Sequence, residues 1–384
     1  MTTWSVVKDD SGEEQARARV RQHLPQLALL ICLALVVVSL GIAFSPGNPP
    51  KPPEPSFSER ARVSALDDAR RLRTDGVELG AAPAGTGRPA APGAVRTAVT
   101  RTVSLLTTQS RALLRPGKTP DATSSASASA SAASGTAAPA DAARFAADLA
   151  KSGRQRLADA AAADGGMARL LAAVGTAQLL QSSALAAAAG APDPAASGPV
   201  PASTPAPGAV APDAAASCPA VTTPPSASPA GSTAAPAGTA ELPGALAAVV
   251  STELETVYGY QVALTRLDGA AAKSAAGQLA RHEALVSAAE SLSRSHCTPV
   301  PPREPGYALD PSFLASPRSG LASLETAALP AYGDLVALSD GETRTWAISG
   351  LLGAARRAVL WGADPGPVPG VAADPASFPT LPAD

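Results

Sequence analysis

The chain is poor in aromatic residues, with 3 Trp, 4 Tyr and 5 Phe among its 384 residues. Alanine supplies much of the apolar fraction and buries little area per residue, so the sequence excludes a core built mainly on large side chains. We expect slim helices that pack through alanine-rich seams, separated by stretches that have no core.

The sequence also lacks a strong net charge. Its formal net charge is -2 at pH 7 and its pI is about 6.0. No global basic field is present to attract nucleic acid, so we predict no nucleic-acid partner.

Cysteine and catalytic motifs are scarce as well. The chain has three cysteines, and no two of them have the CxxC spacing of zinc sites. The fingerprints GxSxG, HExxH and GxGxxG are absent, as is a Walker phosphate-binding loop. We therefore predict a protein that is not an enzyme and has no cofactor.

One long apolar run is present. Leu27 to Phe44 reads LALLICLALVVVSLGIAF and carries no charge over 18 residues. At about 1.5 Å per residue a helix here is about 27 Å long, just enough for a hydrocarbon core of about 30 Å. Arginines at positions 17, 19 and 21 precede the run, and the next cation after it is Lys51. The positive-inside rule places residues 1–26 in the cytoplasm and the bulk of the chain outside the cell membrane.

Three other interpretations of this run compete with an uncleaved anchor. A cleaved signal peptide would use Ala43-Phe44-Ser45, but Pro46 follows and would hinder cleavage. A lipidated Cys32 would lie in the middle of the run, behind the bulky Ile31. A buried core helix is disfavoured because the run is apolar on every face. The anchor is the interpretation we favour.

Composition divides the rest of the chain into helical and Pro-rich segments. In chain order these are a Pro-rich stalk (45–56), a helical region (57–189) interrupted by a disordered low-complexity segment (115–139), a Pro/Ala/Ser-rich linker (190–239), a four-helix bundle (240–362) and a disordered tail (363–384). The helices of the first region either form a bundle of their own or lean on the C-terminal one. The fold class is therefore all-α.

Polar residues interrupt the apolar seams of the C-terminal bundle. Glu253, His282 and Glu325 lie on the apolar stripes of the first three helices, and Arg356 lies at the edge of the stripe of the fourth. Antiparallel pairing about the turns near 268–269 and 340 brings Glu253 towards His282, and Glu325 towards Arg356. A buried charge without a partner is costly, so we predict a buried polar layer in which these two pairs form.

A long connection joins the two hairpins. Residues 297–318 contain six prolines and, when extended, could span the bundle. Together, ELETVYGY at 253–260, LARHEAL at 279–285, PPREPGYAL at 301–309, LASLETAALPAYGDLV at 321–336 and ARRAVLW at 355–361 resemble an actinobacterial ferritin-like family called domain of unknown function 4439. The resemblance covers roughly residues 241–362. It implies a ferritin-like four-helix bundle and implies no activity.

The ligands of a di-iron site are incomplete in this bundle. Such sites use a single Glu on two helices and Glu-x-x-His on the other two. Glu253 and Glu325 fit the single-Glu helices, but Leu279 stands where a Glu should precede His282. The fourth helix offers Arg356 in place of a ligand, and we predict no metal.

Two cysteines lie outside the apolar run. An oxidising compartment favours pairing of Cys218 with Cys297, which would tie the linker to the end of the second bundle helix. The alternatives are two free thiols or a bridge between molecules.

These features predict a membrane-anchored protein of the cell envelope that acts as a non-catalytic binding or scaffolding module for an envelope partner. One alternative is a bundle that binds a small apolar ligand between its helices. Another is a ferritin-like, metal-dependent oxidoreductase.

Overall fold

The structure is a computed structural model that describes residues 29, 31–35, 54–81, 93–114, 138–196, 218 and 241–381. It divides the chain into two compact units, residues 1–54 and residues 55–384. Throughout the described ranges the regular structure is helical.

In the first unit, residues 29 and 31–35 are helical, and their side chains are exposed. Leu29 is 70% exposed and Leu35 is 63% exposed. Most of the predicted membrane segment, the cytoplasmic tail and the stalk up to residue 53 lie outside the described residues. The membrane anchor stays a prediction.

The second unit begins with four helices. They are α1 (Phe57–Ala81), α2 (Gly93–Ala112), α3 (Ala138–Ala162) and α4 (Gly165–Ala188). The first, second and fourth agree with the predicted helical pattern, whereas α3 starts inside the segment that we expected to be disordered to residue 139. The part of that segment at 115–137 lies outside the described residues.

Helices α3 and α4 pack with their backbones close together. A Cβ atom added at Gly175 would lie 2.7 Å from the carbonyl oxygen of Gly153, and one added at Gly153 would lie 2.9 Å from the carbonyl oxygen of Gly175. Two glycines that face each other therefore allow this crossing. Among the described helices α4 alone is long and apolar enough to cross a membrane, but 72% of its apolar window is buried inside the structure. In this structure α4 is a core helix.

Five further helices follow. They are α5 (Leu242–Leu264), α6 (Gly269–Ser295), the short α7 (Pro311–Ala315), α8 (Pro317–Leu338) and α9 (Gly341–Trp361). Pro243 lies in the first turn of α5, where its missing N–H costs no hydrogen bond. Gly269 and Gly341 have φ of 57° and 50°, so the two hairpin turns use the left-handed conformation that glycine adopts freely.

Two helical hairpins result, α5–α6 and α8–α9, and residues 296–316 connect them. The close helix contacts run from α6 to α5, from α5 to α8 and from α8 to α9. Contacts between α6 and α9 are few, so these two helices face each other across a more open side.

The N-terminal helices lean on the C-terminal ones. Helix α4 packs against α8 and α9, and α3 also contacts α9. One hydrophobic core runs from Leu72 through Leu171 to Ile348. This answers the question that the sequence left open, because α1–α4 share a core with the bundle.

The segment after α9 differs from the prediction of a disordered tail over 363–384. Residues 363–381 pack along the helices, and Val368 is buried. Arg169 Nε donates to the Gly370 carbonyl at 2.7 Å, and Gln109 Nε2 donates to the Pro367 carbonyl at 3.0 Å. The tail is held mainly through its backbone carbonyls.

The start of the linker predicted over 190–239 is also ordered against the helices. Ala195 is buried, and Asp193 Oδ1 accepts hydrogen bonds from Ser183 Oγ at 2.9 Å and from the backbone N–H of Ala195 at 2.8 Å. Residues 190–196 therefore cap the end of α4 and do not begin a linker. Apart from Cys218, residues 197–240 lie outside the described residues.

Candidate functional site: a buried polar layer

His282 lies at the centre of a polar layer inside the C-terminal bundle. Its Nδ1 is 2.7 Å from Glu253 Oε2, and its Nε2 is 2.9 Å from Glu325 Oε1. All three side chains are at most 1% exposed. The seam positions on α5, α6 and α8 thus bring one imidazole between two carboxylates.

Glu325 accepts two further hydrogen bonds. Arg357 Nε donates to its Oε2 at 2.8 Å, and Tyr260 Oη donates to its Oε1 at 2.7 Å. Trp361 Nε1 in turn donates to Tyr260 Oη at 2.6 Å. Helix α9 therefore supplies a cation and an indole to this layer.

Glu253 is held on its other side by Tyr332, whose Oη donates to Oε1 at 2.7 Å. Every carboxylate oxygen of the two glutamates thus faces at least one donor. We use "polar layer" for the residues that make these contacts, which are Glu253, Tyr260, His282, Glu325, Tyr332, Arg357 and Trp361.

The charges in the polar layer balance. Ionised carboxylates only accept hydrogen bonds, and a neutral imidazole has a single N–H, so His282 can satisfy both Glu253 and Glu325 only as an imidazolium. Two carboxylates then face one imidazolium and the guanidinium of Arg357, and the sum of formal charges is zero. Such pairing is what makes buried charges tolerable.

The pKa shifts agree with this assignment. Burial alone would lower the pKa of His282, but its hydrogen bonds to Glu253 and Glu325 outweigh burial, and the pKa is raised above its ordinary value. Burial alone would raise the pKa of Glu325, but the hydrogen bond to His282 and the charge of Arg357 hold the pKa of this carboxyl below its ordinary value. His282 and Glu325 are thus charged in the folded state near neutral pH.

The tyrosines remain protonated donors. Burial and the neighbouring Glu325 carboxylate raise the pKa of Tyr260. Burial and the charge of Glu253 likewise raise the pKa of Tyr332. Both hydroxyls therefore donate to carboxylates at physiological pH.

The predicted pairing of Arg356 is wrong. We predicted that Arg356 pairs with Glu325, but Arg357 makes this ion pair and Arg356 is exposed, with its Nη2 3.4 Å from the Ala195 carbonyl. Successive residues of an α-helix are rotated by about 100°, so an error of one position in the level of α9 turns the side chain out of the core. The structure does place Glu253, His282 and Glu325 together, and His282 contacts both carboxylates where we expected only Glu253.

Three members of the polar layer were missed as polar partners. No polar role was predicted for Tyr260, Tyr332 or Trp361. All three are buried, but their hydroxyl and indole N–H groups also need acceptors there. These donors could have been expected from the sequence, because two buried carboxylates have more acceptor sites than one histidine and one arginine can satisfy.

The donor set does not fit a di-iron centre of the ferritin-like type. Metal ligation requires a histidine lone pair, whereas both nitrogens of His282 contact carboxylates in a charge-balanced arrangement. Arg357 Nε lies 2.8 Å from Glu325 Oε2, so a guanidinium already balances the charge of this carboxylate. Within the described residues no group of three or more His, Cys, Asp or Glu side chains is arranged to hold a metal ion.

Cys218 and Cys297 form a disulfide, with their Cα atoms 5.6 Å apart. Cys297 follows the end of α6 with φ of 53°, and the N–H of Thr298 donates to the Ser293 carbonyl at 2.9 Å. This is the Schellman helix end, in which glycine usually takes the left-handed position. The structure therefore brings together the two cysteines that the sequence analysis paired.

Residues 245–373 match the model of the family described as Domain of unknown function (DUF4439). No curated protein and no solved structure shows significant similarity to the chain. The match contains the whole polar layer and extends past α9 into the packed tail, beyond the end at residue 362 that the resemblance suggested. The part of the resemblance that concerns a domain of unknown function is confirmed for this range.

Proposed function

We propose that the chain is a membrane-anchored extracytoplasmic protein whose C-terminal ferritin-like bundle is a non-catalytic binding or scaffolding module. The observation that carries the non-catalytic part is the closed polar layer. Each carboxylate oxygen has a donor, both histidine nitrogens are engaged, and the formal charges cancel. A layer of this kind stabilises a fold and leaves no vacant ligand or general base for a reaction.

The ferritin-like assignment is supported by connectivity. Two helical hairpins joined by a long connection form the bundle topology in which ferritin-like proteins carry their metal ligands. In this proposal the imidazolium of His282 and the guanidinium of Arg357 balance the two glutamates in place of metal ions.

The extracytoplasmic assignment is supported by two independent features. The apolar run Leu27 to Phe44 is preceded by three arginines, which favours a cytoplasmic N-terminus. The disulfide between Cys218 and Cys297 is of a kind that persists in oxidising compartments and is rare in the cytosol.

Topology is tested with a reporter enzyme that is active only outside the cytoplasm. Fused after residue 56 it should be active, and fused after residue 26 as a matched control it should be inactive. Activity confined to the residue 26 fusion would overturn the orientation.

Metal analysis of the purified full chain tests the non-catalytic part. We expect less than one tightly bound iron or manganese ion per chain after growth with both metals, and no loss of stability on treatment with a chelator. Stoichiometric metal that is lost in a His282→Gln variant would favour the oxidoreductase alternative.

A further inference from the structure

The open side of the bundle holds a cleft between α6 and α9. Its volume is about 420 Å³, within the range of about 300–1,000 Å³ typical of small-molecule sites. Its walls include three arginines, one glutamine and two leucines, namely Gln278, Arg281, Leu352, Arg356, Arg357 and Leu360. Glu325 already balances the charge of Arg357, so Arg281 and Arg356 give the lining its positive charge.

Arg357 connects this cleft to the polar layer. Its Nε is bound to Glu325, while its Nη2 is buried and has no hydrogen-bond partner among the described residues. The whole residue is only 5% exposed. A buried guanidinium N–H without an acceptor is costly, and an acceptor placed in the cleft would remove that cost.

Arg356 and Arg281 form the outer wall. Partial burial lowers the pKa of Arg356, the nearby Asp193 carboxylate raises it, and the charge of Arg281 lowers it by a smaller amount. The Asp193 carboxylate is already engaged by Ser183 and by the backbone of Ala195. An anion between the two guanidiniums would attract both of them.

Gln278 and the leucines indicate which other groups a ligand of this cleft would carry. Gln278 Oε1 is buried and has no hydrogen-bond donor among the described residues, so a ligand hydroxyl would satisfy it. Leu360 is 47% exposed at the cleft and offers an apolar rim. Planar guanidiniums recognise phosphate and carboxylate oxygens through paired hydrogen bonds.

We propose that the cleft between α6 and α9 binds a small hydroxyl-bearing oxyanion of the phosphate monoester or diester class, held by Arg281, Arg356 and the unpartnered Nη2 of Arg357. This site goes beyond the proposed function, since it stands whether or not the chain is anchored outside the membrane. The same chemistry occurs in free glycerol phosphates and in the headgroup of phosphatidylglycerol, so the test separates these sources.

The test is titration calorimetry of the full chain in nonionic detergent at low salt. One arm uses glycerol 3-phosphate, and the other uses dihexanoyl phosphatidylglycerol. Arg281→Gln and Arg356→Gln each remove one charge-assisted contact and should weaken binding at least about tenfold. Arg266→Gln, which removes an exposed arginine outside the cleft lining, is the matched control and should leave the affinity unchanged.

Binding of glycerol 3-phosphate with this variant pattern supports the site with a free ligand. The same pattern with the lipid alone supports the site with a headgroup ligand. The proposal is overturned if neither probe binds at millimolar concentration, or if binding is equally strong in the Arg281 and Arg356 variants. Equal melting temperatures of the three variants show that the comparison reports the cleft and not the fold.

Discussion

Replacing Arg357 by methionine keeps most of the apolar stem and removes the cation that balances Glu325. The polar layer would then hold two carboxylates and one imidazolium, so one negative charge is left buried without a partner. At roughly 4 Å between charge centres and an effective dielectric constant of about 20, one ion pair amounts to about 4 kcal/mol. Breaking a buried pair from one side typically costs about 3–5 kcal/mol, and we expect Arg357→Met to lower the free energy of unfolding by that amount.

Arg356→Met is the matched control, because the two arginines are neighbours on the same helix. Arg356 is exposed and outside the polar layer, so we expect its replacement to change the free energy of unfolding by less than about 0.5 kcal/mol. The measurement is chemical denaturation of the full chain in detergent, followed by the fluorescence of its tryptophans.

The double variant Glu325→Gln with Arg357→Met tests whether the loss comes from charge. Glutamine keeps a carbonyl oxygen as acceptor for Tyr260 and His282, and the remaining charges of Glu253 and His282 cancel. We expect the double variant to lose at least about 2 kcal/mol less than the sum of the two single variants. Additive losses, or a loss for Arg356→Met as large as that for Arg357→Met, would refute the ion-pair reasoning.

Three further outcomes follow from the same structure. Because the pKa of folded His282 is raised, its contribution to stability is present below its unfolded pKa and is lost as pH rises through the folded pKa. Because the pKa of folded Glu325 is lowered, its contribution to stability is present above its unfolded pKa and is lost as pH falls through the folded pKa. The free energy of unfolding, measured against pH, should therefore decline on both the acid and the alkaline side. His282→Gln should remove the alkaline decline. Gly350→Ala places a Cβ atom 2.0 Å from Cε1 of Tyr332 and should lower the free energy of unfolding by about 1–3 kcal/mol. Gly277→Ala has open space around its Cβ and should raise the free energy of unfolding by about 0.5–1 kcal/mol, and thermal melts compare the two variants. Replacing both disulfide cysteines by serine removes a cross-link between residues 79 apart in the sequence and should lower the free energy of unfolding by about 4 kcal/mol in the chain-entropy model. Coincident denaturation curves of the reduced and the oxidised chain would contradict this.

The polar layer was predictable where turns are short. The Asp-Gly pairs at 268–269 and 340–341 fix where α6 and α9 begin, so antiparallel pairing brought Glu253 close to His282 from the sequence alone. The same reasoning failed by one residue on α9. An error of one residue changes the predicted height along the helix only slightly. It changes the predicted direction of the side chain by about 100° and so turns it out of the core.

The packed tail was not predictable in this way. Residues 363–381 are rich in Pro, Ala and Gly and have no apolar period, which is the usual signature of a disordered segment. What fixes them is the donation of hydrogen bonds from Arg111, Arg169 and Gln109 to backbone carbonyls. Every residue has such a carbonyl, so side-chain composition carries no signal for this kind of docking.

The polar layer and the cleft meet at a single side chain. Arg357 donates to Glu325 in the layer and also lines the cleft, and its buried Nη2 has no acceptor among the described residues. An anion in the cleft would therefore supply the acceptor that Arg357 Nη2 lacks, and its binding energy would add to the stability of the fold. At a concentration 100 times its dissociation constant, such a ligand raises the free energy of unfolding by about 2.7 kcal/mol. Because Arg357→Met removes the contact as well as the ion pair, its loss of stability should be larger with ligand than without, whereas Gly350→Ala, outside the cleft lining, should lose the same amount in both conditions.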